Sequence, residues 1–309
     1  MQKRSIMAGK EIMQNIDLHV HSSWSDDADF SVSRLMTIAE KENVSVLSIA
    51  DHNSSSSVEE AIYWGHKYNI HVLPGIEIDC SFGNNNYHLL GYGYRRHSTD
   101  FAEVKRNFDR LQHAATPIKI EKLKALGLFL DEERLFALAG DRVPQEEEMA
   151  ELILEDERNA GNALLIPYRK GNARGDMPLI NFFWDFFGKG KPCHVEIAFP
   201  PLQDMVEIIR SNGGIPVIAH IGANVKSGHT DVISEMVKSG VMGVEVFSSY
   251  HNNDLRQQLY DYALDRSLLM TCGSDFHGKN KPNIRMGSCQ LNQAESEKVE
   301  AFLDRVTLF

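Results

Sequence analysis

The sequence has no two cysteines close enough to make a metal-binding or redox hairpin: its four, at 80, 193, 272 and 289, are scattered. That spacing gives neither a zinc ribbon nor a disulfide framework, and it fits a reducing compartment. No stretch approaches the roughly 18 apolar residues that span a bilayer. The segment Met1 to Asn15, with Lys3 and Arg4, holds no apolar run of signal-peptide length. A cytoplasmic protein with no membrane partner is the expectation. Net positive charge is also missing. The formal charge of −11 opposes an extended nucleic-acid surface, while leaving room for a local basic pocket. Apolar residues are not scarce: 42% hydrophobic against 24% charged over 309 residues suits one large α/β domain with an insertion, or two smaller domains.

Short apolar runs that end in histidine or carboxylate recur along the chain. Ile16, Leu18 and Val20 alternate with Asp17, His19 and His21, the period of a strand. Imidazoles two residues apart on a strand point the same way, so they either grip one metal ion or stay as polar residues on a half-buried strand. Asp26, past the strand end, can bend back toward them. A helix capped by Ser31 or Ser33 follows, with Leu35, Met36, Ile38 and Ala39 on its apolar face. Val44 to Ala50 reads as a buried parallel strand ending in Asp51-His52-Asn53. Ser57 and Glu60 have the spacing of a capping box that opens a second helix. Residues 70–78 form a third strand, interrupted by Pro74-Gly75 and carrying Glu77. Residues 87–94, beyond a Gly-Asn turn, form another with His88.

From about Thr99 no strand-like run appears until Pro192, so 99–189 is expected to be a mostly helical insertion into a discontinuous domain of 1–98 and 190–309. Helices are expected over 131–139 and an acid-rich 144–158. Arg169, Lys170 and Arg174 stand among glycines, and Phe182, Phe183, Trp184, Phe186 and Phe187 are expected to join the insertion to the main core. The alternation then resumes. Strands are expected over 193–197, 215–219, 242–247 and 268–272, with helices near 202–212, 230–238 and 253–265.

Repeated strand–helix units imply mainly parallel strands, in an open sheet or a closed barrel, whose C-terminal ends share one side. His19, His21, His52, Glu77, His220, Asp275 and His277 all fall at or just past strand ends. Burying so many ionisable groups together is costly unless cations compensate them, which points to a metal cluster. Imidazole and carboxylate without thiolate suit zinc, manganese or iron, and the number of donors fits two or three ions sharing a carboxylate. Such clusters hydrolyse phosphoesters by metal-bound hydroxide attack, and amide hydrolysis is chemically possible too.

The motifs DLHVHSSWSD (17–26), ADHN (50–53), GIEI (75–78), HLLGY (88–92), AHIG (219–222) and GSDFHG (273–278) resemble those of the polymerase and histidinol phosphatase (PHP) family. The resemblance implies a distorted seven-stranded α/β barrel, TIM-barrel-like, with a helical insertion. It implies two or three divalent ions (Mn, Zn or Fe): His19, His21, Glu77 and Asp275 round the first, Glu77 bridging to a second held by His88 and His220, and Asp26, His52 and His277 round a third. Small phosphate esters such as nucleoside monophosphates or 3′,5′-bisphosphates are the implied substrates. A short-oligonucleotide 5′-3′ exonuclease, a histidinol phosphatase and a catalytically silent metal-binding module are the alternatives. Three departures stand out: Asp27 replaces the usual glycine after Ser-Asp, Ile221 replaces the usual proline after Ala-His, and the insertion lacks an Arg-Pro-His stretch. Arg169, Lys170 and Arg174 are therefore either a phosphate-binding group or a solvated loop. Asp275 or His251 is expected to handle protons.

Overall fold

The computed structural model describes residues 15–140 and 142–309; the reading of the first fourteen residues lies outside that range. The chain opens with β1 (Ile16–Val20), α1 (Val32–Lys41), β2 (Val46–Ile49) and α2 (Val58–Tyr68). Ser31 caps α1 by accepting the Arg34 N–H at 3.3 Å, and the helix buries Leu35, Met36 and Ala39. The capping box expected at Ser57 does not form. That residue already has helical backbone angles (φ −72°, ψ −18°) and makes no side-chain cap bond, whereas a capping serine needs an extended backbone.

The third apolar run divides at Pro74, which has no N–H to offer a ladder. Its first part, β3 (His71–Val72), pairs with β2, and its second, β4 (Gly75–Phe82), belongs to a different sheet. Gly83, in the left-handed region at φ +58°, turns the chain into β5 (Asn85–Tyr92). Then come α3 (Thr99–Ala125), α4 (Glu132–Ala139), α5 (Glu146–Glu155) and α6 (Pro178–Phe182), without an intervening strand; α6 runs into a π-helical turn over Phe183–Phe187. The strand expected over 193–197 is absent. The Cys193 N–H donates to the Phe186 carbonyl at 2.7 Å and the His194 ring to that of Phe187 at 3.0 Å, so this stretch is tied to the insertion rather than to a sheet. The remaining elements are α7 (Leu202–Ser211), β6 (Ile215–Ile218), α8 (Ile221–Asn224), α9 (His229–Lys238), β7 (Gly243–Ser248), α10 (Asn253–Asp265), β8 (Leu269–Gly273) and α11 (Gln293–Leu303).

Eight described strands form an α/β fold of two sheets, ordered β1-β2-β3 and β4-β5-β6-β7-β8. Neighbours are parallel except where β5 pairs with β4 and β6, because a hairpin turn reverses the chain there. Isolated bridges link the sheet edges at two places, Val20 to Phe276 and His52 to Glu77. At the first, the Asp275 N–H donates to the His19 carbonyl at 2.7 Å and the His21 N–H to that of Phe276 at 2.9 Å. The sheet junctions therefore lie at the polar motifs. No described helix is long and apolar enough to cross a membrane.

Two separate cores are buried. The larger holds β1 to β8 with the helices packed on them, including Leu18, Leu47, Ile76, Leu90, Val217 and Val246. The smaller runs from Ile120 to Cys193 and contains Phe182, Phe186 and Phe187, with Phe183 packed against it. The insertion aromatics thus build the insertion's own core instead of joining it to the main one, and Trp184 is exposed.

Gly273 shows how closely β8 approaches β1: a Cβ there would lie 2.1 Å from His19 Cβ and 2.5 Å from Glu245 Oε1. Gly273→Ala is expected to lower the urea midpoint at unchanged m-value, by about 1–3 kcal/mol for an overpacked contact that must shift backbone. An unchanged midpoint would contradict this close approach.

Candidate metal centre

Glu77 lies on β4 with no solvent exposure, and imidazoles from five positions surround its carboxylate. Oε2 is 3.0 Å from His19 Nε2, 3.2 Å from His21 Nε2 and 3.4 Å from His52 Nδ1. Oε1 is 3.0 Å from His88 Nδ1 and 2.9 Å from His220 Nε2. Asp275 Oδ1 adds a second carboxylate, 3.2 Å from His21 Nε2 and 3.5 Å from His19 Nε2. Despite these distances, Glu77 Oε2, Asp275 Oδ1, His52 Nδ1 and the Nε2 atoms of His19, His21 and His277 are buried without a hydrogen-bond partner. Buried nitrogen and oxygen atoms that converge without a hydrogen-bond partner are what a metal site requires, and these residues fit one.

The donors fall into three overlapping groups: His19, Glu77, His220 and Asp275; His52, Glu77 and His88; and His21, Asp27, His52 and His277. Glu77 and His52 each belong to two of them. The sets expected from sequence are therefore regrouped: His220 joins His19, while His21 stands with His52 and His277 as well as within reach of Glu77. Asp26 is the main correction. Its carboxylate faces Lys105 at 3.6 Å, and Asp27 lies instead 3.0 Å from His277 Nε2 and 3.6 Å from His52 Nε2. Ser25 is engaged with His21, Asp51 and the His52 N–H, and of the two aspartates that follow it both line the cavity but only Asp27 reaches the imidazoles.

Outer partners fix the rings. His19 Nδ1–H donates to Glu245 Oε1 at 2.8 Å, and the other oxygen of Glu245 accepts the His220 N–H at 2.8 Å. His277 Nδ1–H donates to the Asp275 carbonyl at 2.9 Å, and His88 Nε2 lies 3.2 Å from Asp79. Each of these bonds leaves the opposite ring nitrogen for the centre. Sequence reasoning missed Glu245 and Asp79; a carboxylate inside the apolar strand VEVF was the available signal. Asp275 has φ +59°, a conformation that costs a non-glycine residue about 1–3 kcal/mol. Burial pushes the Glu77 carboxyl up, but His19, His88 and His52 outweigh it and hold the group well below the usual range. Asp275 is likewise held low, against burial, by Lys281, His277 and His19. Burial and the neighbouring His277 bring His21 down to about 4.

The centre opens into a cavity of about 400 Å³, walled on one side by Asp27, His52, His88, His220 and Asp275 and on the other by insertion residues, among them Phe183, Trp184 and Glu147. Arg169, Lys170 and Arg174 do not line it. Arg174 makes a two-point ion pair with Asp185 at 2.8 and 2.9 Å, Arg169 reaches the Ala160 carbonyl, and Lys170 is exposed. The lysines on the wall are Lys119, Lys189 and Lys281. His251 is corrected too: its Nδ1–H donates to the Val246 carbonyl at 2.9 Å and its Nε2 accepts the Gly222 N–H at 3.1 Å. Both nitrogens are committed to backbone, so the ring clamps a loop and has no proton to exchange with substrate.

An α/β scaffold that gathers strand-end imidazoles and carboxylates round one shared carboxylate defines a metallohydrolase type of centre. Over residues 17–157 the chain matches the PHP domain. It is 26% identical over 268 residues to a phosphoribosyl 1,2-cyclic phosphate 1,2-diphosphodiesterase of Eggerthella lenta, covering 85% of this chain and 94% of that protein. It is 27% identical over 282 residues to a 3′,5′-nucleoside bisphosphate phosphatase of Chromobacterium violaceum, covering 89% and 91%. A solved structure from Bifidobacterium adolescentis, assigned to the metal-dependent phosphoesterases, superposes with a TM-score of 0.75 at 21% identity, over 95% of this chain and 97% of that one; this likeness is one of fold.

Two outcomes follow from the corrected placement and from Glu147. In metal titrations, Asp27→Asn is expected to weaken binding about 10–100-fold, and Asp26→Asn much less; equal losses would contradict the inward placement of Asp27. Glu147 is pushed up to about 8 by burial, with Glu146 and Asp27 adding to it. A carboxyl raised on folding contributes no penalty below its unfolded pKa near 4.5, one that grows from there to about pH 8, and a constant one above that. Urea midpoints of chelator-treated protein should therefore fall between pH 5 and 9 by up to a few kcal/mol, and Glu147→Gln should flatten that fall. An identical pH slope in both proteins would contradict a buried, neutral Glu147.

Proposed function

We propose that the protein is a metal-dependent hydrolase acting on phosphoester bonds, with small phosphate esters such as nucleoside monophosphates or 3′,5′-bisphosphates as substrates. The observation that carries this reading is Glu77: its two oxygens face different sets of imidazoles at 2.9 to 3.4 Å, the arrangement of a carboxylate shared between ions. His19, His220 and Asp275 would complete one ion's set, His52 and His88 another's, and His21, Asp27 and His277 a third's. We assign two or three divalent ions, of manganese, zinc or iron, on the strength of imidazole and carboxylate donors without thiolate. When bound, they supply a water of lowered pKa and Lewis-acid contacts to the phosphate oxygens. The chain's own residues do the rest. Glu245 and Asp79 hold His19 and His88 in register, and Asp275 supplies an oxygen to the centre while its other oxygen stays on Lys281. Insertion residues wall one side of the cavity of about 400 Å³, and we read that enclosure as favouring a small substrate.

We further read the two sheets as one distorted seven-stranded barrel, closed at the Val20–Phe276 and His52–Glu77 junctions, with β3 and β4 counted as one interrupted strand and 99–189 as a helical cap. The strand ends then surround the centre in the way the chemistry requires.

Phosphate release from nucleoside monophosphates, nucleoside 3′,5′-bisphosphates, histidinol phosphate and short 5′-phosphorylated RNA, at several added metals, tests the reading. Turnover that chelation abolishes, and that Glu77→Gln lowers by more than about a hundredfold, is the expected result. Preference for the RNA would shift the reading to a short-footprint exonuclease. Full metal occupancy with no release from any of these esters would leave a catalytically silent metal-binding module.

A further inference from the structure

The centre is rich in carboxylates, and a phosphate dianion approaching it needs a cation besides the metals. The cavity wall carries seven carboxylates, Asp26 and Glu196 among them, against three lysines. Two of those lysines are committed elsewhere. Lys119 is 3% exposed and bonded to Glu146 and, at 2.8 Å, to Gln112 Oε1. Lys189 sits at the rim on the Asn84 carbonyl and Asn85 Oδ1.

Lys281 differs in place and partner. Gly278, at φ +65°, and a 3₁₀ turn over Gly278–Asn280 bring the chain back across the centre, and the turn is pinned where Asp29 accepts the Lys279 N–H at 3.0 Å. A Cβ at Gly278 would lie 2.0 Å from Asp29 Oδ1, so no other residue makes this return without displacing it. Lys281 Nζ then bonds Asp275 Oδ2 at 2.5 Å, while Asp275 Oδ1 faces His19 and His21. The ammonium lies 5.4 Å from the Tyr250 ring centroid, and that ring lies 5.2 Å from the His220 ring. Lys281 therefore stands between the first donor group and the cavity. One bond to Asp275 leaves an ammonium two further N–H donors.

We propose that Lys281 is the chain's phosphate-contacting cation, binding a non-bridging oxygen of the substrate across Asp275 in the place expected of Arg169, Lys170 and Arg174. This rests on the phosphoesterase reading for its substrate, but the contact itself is measurable with inorganic phosphate alone. Phosphate affinity of the metal-loaded protein, measured by calorimetry beside metal content per chain, separates contact from support. Lys281→Met is expected to weaken phosphate binding about 10–100-fold, as for loss of one charge-assisted bond, with metal content kept; Lys281→Arg should recover most of it. If Lys281 only positioned Asp275, metal content would fall and the loaded fraction would bind phosphate as before, which overturns the proposal. A crystal structure of the metal-loaded wild-type chain with phosphate gives a second reading that needs no variant. A phosphate oxygen about 2.7–3.2 Å from Lys281 Nζ supports the contact, and a phosphate held by the metals with Lys281 beyond about 4 Å refutes it. Turnover is read separately: phosphate binding through Lys281 in a protein that cleaves no ester would overturn the functional reading and leave this one standing.

Discussion

Everything in the centre depends on keeping the Glu77 carboxylate ionised at zero exposure. Taking a carboxylate out of water costs several kcal/mol even after relaxation. Without cations it has only imidazoles for company, and their rings are already turned by Glu245, Asp79, Ser25 and the Asp275 carbonyl so that lone pairs face inward. The fold pays for that arrangement in advance. Strands from both sheets hold the donors, glycine at 273 lets β8 lie against β1, and Asp275 is kept in a left-handed conformation by the junction beside it. Bound dications would convert this stored cost into affinity.

The segment 99–189 adds a wall to that centre; Phe101 and Val104 of α3 pack into the main core, while its later apolar residues form a core of their own. Phe182 and Phe186 pack among insertion residues, Phe183 and Phe187 pack there and line the cavity as well, and Trp184 and Glu147 face the cavity. A wall with its own core can vary in shape while the donors stay fixed. This arrangement is compatible with relatives of similar length that act on a cyclic phosphate and on a nucleoside bisphosphate.

Much of this was legible in the sequence because strands and metal donors follow local rules. Alternation at Ile16–His21 and the apolar run at Val44–Ala50 located β1 and β2, and histidines at strand ends located His19, His21, His52 and His220. What failed was set by tertiary context. Nothing local says which of two adjacent aspartates reaches the histidines, and the turn after Ser25, whose hydroxyl is held by Asp51 and the His52 N–H across the fold as well as by His21, brings Asp27 to them. The basic residues of the insertion looked free because Asp185, the partner of Arg174, lies eleven residues away across a turn. His251 looked like an acid because its two backbone partners, Gly222 and Val246, are brought together only by the fold. Residues 193–197 have strand composition, yet the carbonyls of Phe186 and Phe187 claim Cys193 and His194 first.

The sharing of Glu77 between ions is tested most directly by anomalous diffraction from crystals grown with manganese. Two or more peaks are expected, with separate ones about 2.0–2.3 Å from each Glu77 carboxylate oxygen and with His88 and His19 on different ions. Peaks that avoid Glu77, or a single ion bound through one of its oxygens with His88 unengaged, would contradict the shared carboxylate on which the rest of the reading depends.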